Sequence, residues 1–371
     1  MLAVASISAR LLAEVAAEEG HRVIALDLFG DEDTRRASTE WLPIGSPSSM
    51  RIDGALLLDT LAALARRVDV EGWVIGSGFE GQTELLAEAA AMLPLFGTAP
   101  ANVQRLRDPQ AFFAALDRHR IEHPAVQHTM LTDAAGWLAK DAGGCGGWQV
   151  RGASAGVALV PGHYFQREAA GVPMSATFVA NGRDAVVLGF NRQLVCRMGT
   201  RPFVYCGVVG PVPMDGAVAE RIEAAVRTLA TEFDLRGLGS LDFMLDGDAF
   251  AVLEVNPRPP ASIALYRNQR PMQAHLRACR ESVLPGRVRP AHAKMRGSEI
   301  VFAQRALQLD EAAARSIAAQ PQCHDLPHAG SVFAVGDPLC SVSAQGHSVD
   351  SVVAQLANRR DAVLNRLERQ R

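Results

Sequence analysis

The stretch from Leu238 to Pro260 constrains this chain more than any other. Leu241, Phe243 and Leu245 alternate ahead of Asp246, Gly247 and Asp248, and Phe250 to Val255 runs back apolar. Alternation, an acidic-glycine turn and a second apolar run describe a β-hairpin. Polar groups sit in both arms: Asp242 in the first, Glu254 and Asn256 in the second. Residues two apart on a strand share a face, so Glu254 and Asn256 point the same way. Pairing about the turn brings Asp242 opposite them. Three hard oxygen donors at one place suit Mg²⁺, with Mn²⁺ as the alternative ion. Arg258 follows two residues on, and its guanidinium matches a transferring phosphoryl group. A hairpin with a solvated polar face is the plainer reading of acidic residues on strands.

Length and composition narrow the field. The 371 residues are enough for two or three domains, and 48% hydrophobic with 21% charged residues is ordinary for a globular protein. A net charge of −3 argues against a nucleic-acid partner. No apolar run reaches the roughly 18 residues of a membrane span. The N-terminus lacks a basic n-region, which points to a cytoplasmic protein. Cys145, Cys196, Cys206, Cys279, Cys323 and Cys340 are scattered, which favours free thiols over a disulfide frame or zinc site. Of 37 basic residues only Lys140 and Lys294 are lysines. A lysine kept where arginine is the habit suggests a need for a compact ammonium.

The first hundred residues alternate strands and helices: strands at 2–6, 21–27 and 73–77, helices at 9–19, 53–67 and 82–92. That order implies βαβ units and a parallel sheet. Gly76, Gly78 and Gly81 match the dinucleotide pattern G-x-G-x-x-G, which would make a nicotinamide enzyme. The motif follows the third strand, however, and no acidic residue ends a strand about 20 residues later, so a tight turn beneath a ligand is the better reading.

A second glycine cluster carries more. Trp137 to Lys140 reads as a strand, and Gly143, Gly144, Gly146 and Gly147 follow within five residues. Backbone N–H groups free of side chains approach phosphate oxygens closely, and Lys140 adds a cation. The lysine precedes the glycines, so this is not a P-loop; a mobile glycine hairpin is the competing account. Gly156 to Phe165 is expected as a strand. A hairpin turning at Asn181 and Gly182 ends near Arg192, whose guanidinium suits a substrate carboxylate or simply the surface. Arg267 and Asn268, just past Arg258, either meet an acceptor or are solvated loop residues.

At Asp242, Glu254, Asn256 and Arg258 the chain resembles the ATP-grasp superfamily, and most closely its carboxylate-amine ligase and carboligase branch related to biotin carboxylase. The resemblance implies an α/β fold, α+β in its central part. An N-terminal open parallel sheet at 1–100 would be followed by a two-lobed ATP-binding region at 101–290, its flexible lobe near 125–170 and its metal-binding lobe near 171–290. A small β-rich lobe with a final helix from Val349 to Arg369 would fill 291–371. It implies ATP and Mg²⁺ as cofactors and an ATP-dependent ligase that joins a small-molecule carboxylate to an amine through an acyl phosphate, in cofactor or small-peptide biosynthesis. A homodimer is compatible with it. Carried over by position, Asp242, Glu254 and Asn256 bind the metal, and Arg258 stabilises the acyl-phosphate step. Lys140 and Gly143, Gly144, Gly146 and Gly147 contact the phosphates. Gln166, Arg167 and Glu168 form the adenine hinge, and Glu80 contacts substrate. The chain departs from the pattern twice. Pro109 stands where the family often has its first nucleotide lysine, leaving Arg105 or Arg107 as substitutes. Val172, Pro173 and Met174 stand where a ribose-binding acid is usual. These departures keep open an ATP-binding regulatory protein without ligase activity.

Overall fold

The computed structural model describes residues 1–287 and 294–368. Its N-terminal part is a four-stranded parallel sheet in the order Glu40–Pro43, Val23–Asp27, Leu2–Ala5, Gly72–Ile75. The two inner strands and the edge strand Gly72–Ile75 are buried along their whole length, as parallel strands covered on both faces should be. Helices Arg10–Glu18, Gly54–Ala65 and Thr83–Met92 cover them, and Asp53 caps the second by accepting the Leu56 N–H. The chain reverses its order across Leu2–Ala5. The crevice at the carboxyl ends of these strands, lined by Ser6–Ser8 and by Gly76 and Ser77, is therefore where such a sheet receives a ligand.

The hairpin read from the sequence is Arg236–Asp246 and Ala249–Asn256, and it forms one edge of an eight-stranded sheet. Val172–Asn181, Ala185–Met198 and Arg201–Val212 continue that sheet, and Met295–Phe302 and Pro338–Gly346 extend it. The C-terminal part thus adds strands to the central sheet. The boundary drawn near residue 290 falls outside the described residues, as does Arg369 at the end of the final helix Val349–Glu368. Helix Gly216–Glu232 packs Val218, Ile222, Val226 and Leu229 against Phe178 and Phe243 under the hairpin. A smaller antiparallel sheet, in the order Val126–Gln127, His163–Arg167, Trp137–Asp141, Arg151–Gly152, faces the hairpin across a cleft.

Two expectations are corrected. The strand expected from Gly156 is confined to His163–Arg167, because Gly156 and Gly162 adopt left-handed φ values of 73° and 80°. The six cysteines are not all free. Cys196 and Cys206 lie on adjacent strands of a hairpin with Cα atoms 6.3 Å apart and form a disulfide. Scattered spacing in sequence concealed a cross-strand neighbour.

Candidate active site

The hairpin register places Asp242 directly opposite Glu254 and Ser240 opposite Asn256, with a bulge just after Asp242. Asn256 Nδ2 lies 3.3 Å from Asp242 Oδ2 and 3.4 Å from Glu254 Oε1, so the three side chains converge. Its N–H supplies partial positive charge to two adjacent carboxylates. The remaining Asp242 oxygen, Oδ1, is buried with no hydrogen-bond partner among the described residues. Burial, with the Glu254 charge beside it, pushes the Asp242 carboxyl up to about 7. A buried carboxylate pair with an unsatisfied oxygen is the environment a divalent cation relieves, and the donor set is the hard-oxygen kind Mg²⁺ takes. The residues present fit the ion.

Across the cleft, Lys140 and Gln166 come from neighbouring strands of the small sheet, paired in the register Tyr164 with Lys140 and Gln166 with Leu138. Lys140 Nζ donates to Gln166 Oε1 at 2.5 Å. Burial holds the Lys140 ammonium below its ordinary value, and the charges of Glu254 and Asp242 pull it back up. The ammonium is therefore within electrostatic reach of the metal hairpin. Gln166 is almost wholly buried, and its Nε2 has no partner among the described residues.

The hinge follows. The N–H of Arg167 is taken by the Ala125 carbonyl and that of Glu168 by the Gly136 carbonyl, while the Arg167 side chain lies over Trp137. Both side chains are exposed. Both residues line the cleft with their backbone N–H groups already engaged. Ala169 and Ala170 line the cleft, and among the described residues nothing accepts from their N–H groups. Backbone donors carry no side-chain signature, which is why the sequence did not single them out.

Between the two walls runs the glycine loop. Gly146 and Gly147 adopt left-handed φ values of 62° and 74°, and Tyr205 N–H donates to the Gly146 carbonyl. A Cβ on Gly147 would stand 1.9 Å from the Phe203 carbonyl oxygen, and one on Gly81 would stand 3.1 Å from the Gly143 carbonyl oxygen. The loop is seated between the central sheet and the N-terminal crevice, where only glycine fits. Burial pushes the Cys145 thiol within it up to about 12, with Glu80, Arg258, Arg107 and Glu254 all close enough to act on it.

Arg258 and Glu80 meet. Arg258 Nε donates to Glu80 Oε1 at 2.6 Å, and Gly78 N–H donates to Glu80 Oε2 at 2.7 Å. Burial works to raise the Glu80 carboxyl, but the guanidiniums of Arg258 and Arg107 outweigh it and hold it below the ordinary range. The Gly76–Gly81 turn wraps its own acid in place of a pyrophosphate. Arg107 is the site residue the sequence left undecided against Arg105. Its NH2 lies 3.1 Å from Asn256 Oδ1 and its NH1 3.7 Å from Glu254 Oε2, whereas Arg105 stacks on Phe233. Arg192 and Asn268 are exposed and lie outside the cleft. Strand alternation sends Asn191 and Gln193 to one face and Arg192 to the other. Arg267 lines the cleft but is held by Glu14 at 2.6 Å and by Glu18.

Residues 107–262, which hold every group of the metal hairpin, the glycine loop and the hinge, match the model of the ATP-grasp domain. The chain carries an ATP-grasp domain. The large chain of carbamoyl phosphate synthase from Pseudarthrobacter chlorophenolicus is 26% identical over 234 residues, 56% of this chain and 21% of that protein. The chain thus matches about a fifth of that relative's length. The L-amino acid ligase from Bacillus licheniformis superposes with a TM-score of 0.68 at 16% identity, covering 97% of this chain and 96% of that one. The N5-carboxyaminoimidazole synthase from Aspergillus clavatus, solved with ADP and 5-aminoimidazole ribonucleotide, superposes with a TM-score of 0.68 at 13% identity, covering 98% of each chain. At these identities the likeness establishes the shared fold. The ATP-grasp fold here spans nearly the whole chain.

Proposed function

We propose that this ATP-grasp protein is an ATP-dependent ligase that activates a small-molecule carboxylate and joins it to an amine, releasing ADP and phosphate. The observation that carries the reading is the buried Asp242–Glu254 pair, with its unsatisfied oxygen, facing Lys140 across a cleft closed by the glycine loop. Asp242, Glu254 and Asn256 hold Mg²⁺, which neutralises the triphosphate when bound. Lys140 and the loop N–H groups contact phosphate oxygens, Gln166 and the N–H groups of Ala169 and Ala170 read the base, and Arg107 joins the phosphate end.

The chemistry is phosphoryl transfer followed by acyl transfer. A carboxylate oxygen attacks the γ-phosphorus, the bond to the bridging oxygen breaks, and ADP leaves. The amine nitrogen then attacks the acyl carbon, phosphate departs with the C–O bonding pair, and the nitrogen loses a proton as the amide forms. Arg258 stabilises the transferring phosphoryl group. Glu80 acts through Arg258 as a positioning residue, since its own oxygens are already engaged. Seating of the glycine loop keeps water from the acyl phosphate. ATP as a substrate implies a cytoplasmic setting.

The test is an ADP-release screen that pairs carboxylates with amines and with bicarbonate. The reading predicts ADP release that requires both partners. Tight Mg-ATP binding with no ADP release from any pair would replace it with a regulatory nucleotide-binding role.

A further inference from the structure

The cleft continues past Arg258 to a second charged cluster, built from the N-terminal sheet and the C-terminal lobe. Arg10 is buried at its centre and contacts Asp325 at 2.9 Å, Glu14 at 3.1 Å and Asp33 at 3.9 Å. Each acid around it has donors of its own. Asp325 also accepts from Ser8 and Ser341. Glu14 is shared with Arg267. Both Asp33 oxygens accept backbone N–H groups, from Asp325 at 2.8 Å and Leu326 at 2.9 Å. Asp27 takes N–H groups from Ala9, Phe29 and Gly30 and the Trp41 ring N–H. His324 pairs with Ser343.

Asp31 differs. It is 8% exposed and lines the cleft. Among the described residues no hydrogen bond or ion pair reaches its carboxylate, and it does not cap the short helix that follows. Its residual exposure is toward the cleft, and a charge on a side chain this enclosed, with no partner of its own, is costly to hold. Burial and the neighbouring charges of Asp325, Asp27 and Asp33 together push its pKa well above the ordinary value, the penalty that an adjacent cation removes. Acids outnumber cations in this cluster, and the one acid without a donor opens onto the substrate cleft at the carboxyl ends of the parallel strands.

We propose that Asp31 binds the positively charged end of a substrate, an ammonium or guanidinium group, so that one of the two molecules joined here is cationic. This rests on the ligase reading and adds to it the class of substrate. A divalent metal suits the place less well. Glu14, Asp33 and His324 present ligand atoms within 4.8 Å of one another, but their donors and acceptors are already paired and the Arg10 guanidinium stands among them. A monovalent organic cation needs only the one free carboxylate and a hydrogen bond or two.

The experiment is calorimetric titration of the full chain, saturated with MgADP, with two probe pairs: L-arginine against L-citrulline, and L-lysine against L-norleucine. Each pair differs in a side-chain charge. The proposal predicts that at least one cationic member binds about tenfold or more tightly than its neutral partner. Asp31→Asn should erase that difference. Removing an unpaired charge should also leave the thermal midpoint of Asp31→Asn unchanged or raised, which verifies folding. Equal affinity within both pairs, no binding by either cation, or a charge preference that survives in Asp31→Asn each overturns the proposal. An affinity that appears only with added Mn²⁺ and vanishes with chelator assigns the cluster to a metal and overturns it as well. A charge preference without ADP release from any pair leaves the cation site standing and refutes the ligase reading. ADP release with no charge preference does the reverse.

Discussion

At the scale of the residue, the site is a set of buried polar groups whose hydrogen-bond accounts do not close. Asp242 Oδ1, Gln166 Nε2 and Arg107 Nε are all buried without partners among the described residues; Asp242 and Gln166 line the same cleft, and Arg107 contacts Asn256, which lines it too. Such orphans are rare away from functional sites. Glu254→Gln should abolish ADP release while leaving the thermal midpoint unchanged or raised, because it separates two adjacent carboxylates. Retained turnover in that variant would count against the metal assignment. Glu80→Gln tests the positioning role. It keeps a side chain of the same size but leaves Arg258 without its charge partner, so turnover should fall roughly 10- to 100-fold with the KM for ATP nearly unchanged. A double-mutant cycle with Arg258→Lys should show strong non-additivity, and independent effects would separate the two residues.

At the scale of the element, the glycine loop is tied to its seat by close backbone contact. Gly147→Ala would place a Cβ against the Phe203 carbonyl at a left-handed φ, and should lower turnover more than about tenfold by displacing the loop. Gly152→Ala, where a Cβ meets nothing within 4 Å, should be close to wild type in the same assay. Elements announced by alternation or caps were legible. The hairpin and three of the four N-terminal strands stand within a residue or two of where the sequence puts them, while the edge strand Glu40–Pro43 was not read. The strand Arg201–Val212 and the helix Pro271–Glu281 were not singled out. The first is an inner strand whose pattern is broken by shifts in register, and the second follows a 3₁₀ segment without a side-chain cap. Glu80 and Arg258 lie 178 residues apart, so their pairing has no trace in local pattern.

At the scale of the whole molecule, stability joins the N-terminal part to the metal hairpin through His275. It is buried, its Nδ1 accepts the Leu238 N–H at 2.8 Å, and its Nε2 meets the Phe96 carbonyl at 2.9 Å. Burial lowers its pKa to about 4. The unfolded chain binds a proton near pH 6.5, where the folded chain does not. This contribution to stability is therefore complete above about pH 6.5 and is lost as pH falls toward 4, about 3 kcal/mol in all. Urea unfolding at pH 7.5 and pH 4.5 should show that loss, and His275→Gln should flatten it. An unchanged slope in the variant would assign the acid sensitivity elsewhere. Among the described residues no helix is long and apolar enough to cross a membrane.

The claim on which the account turns is that Mg²⁺ and a triphosphate are held between the late hairpin and the wall carrying Lys140. Calorimetric titration of ATP with and without Mg²⁺ measures it directly, in the wild type and in an Asp242→Asn, Glu254→Gln double variant. The account predicts that Mg²⁺ tightens ATP binding to the wild type at least tenfold and has no such effect on the double variant. The same Mg²⁺ dependence in both proteins would contradict it.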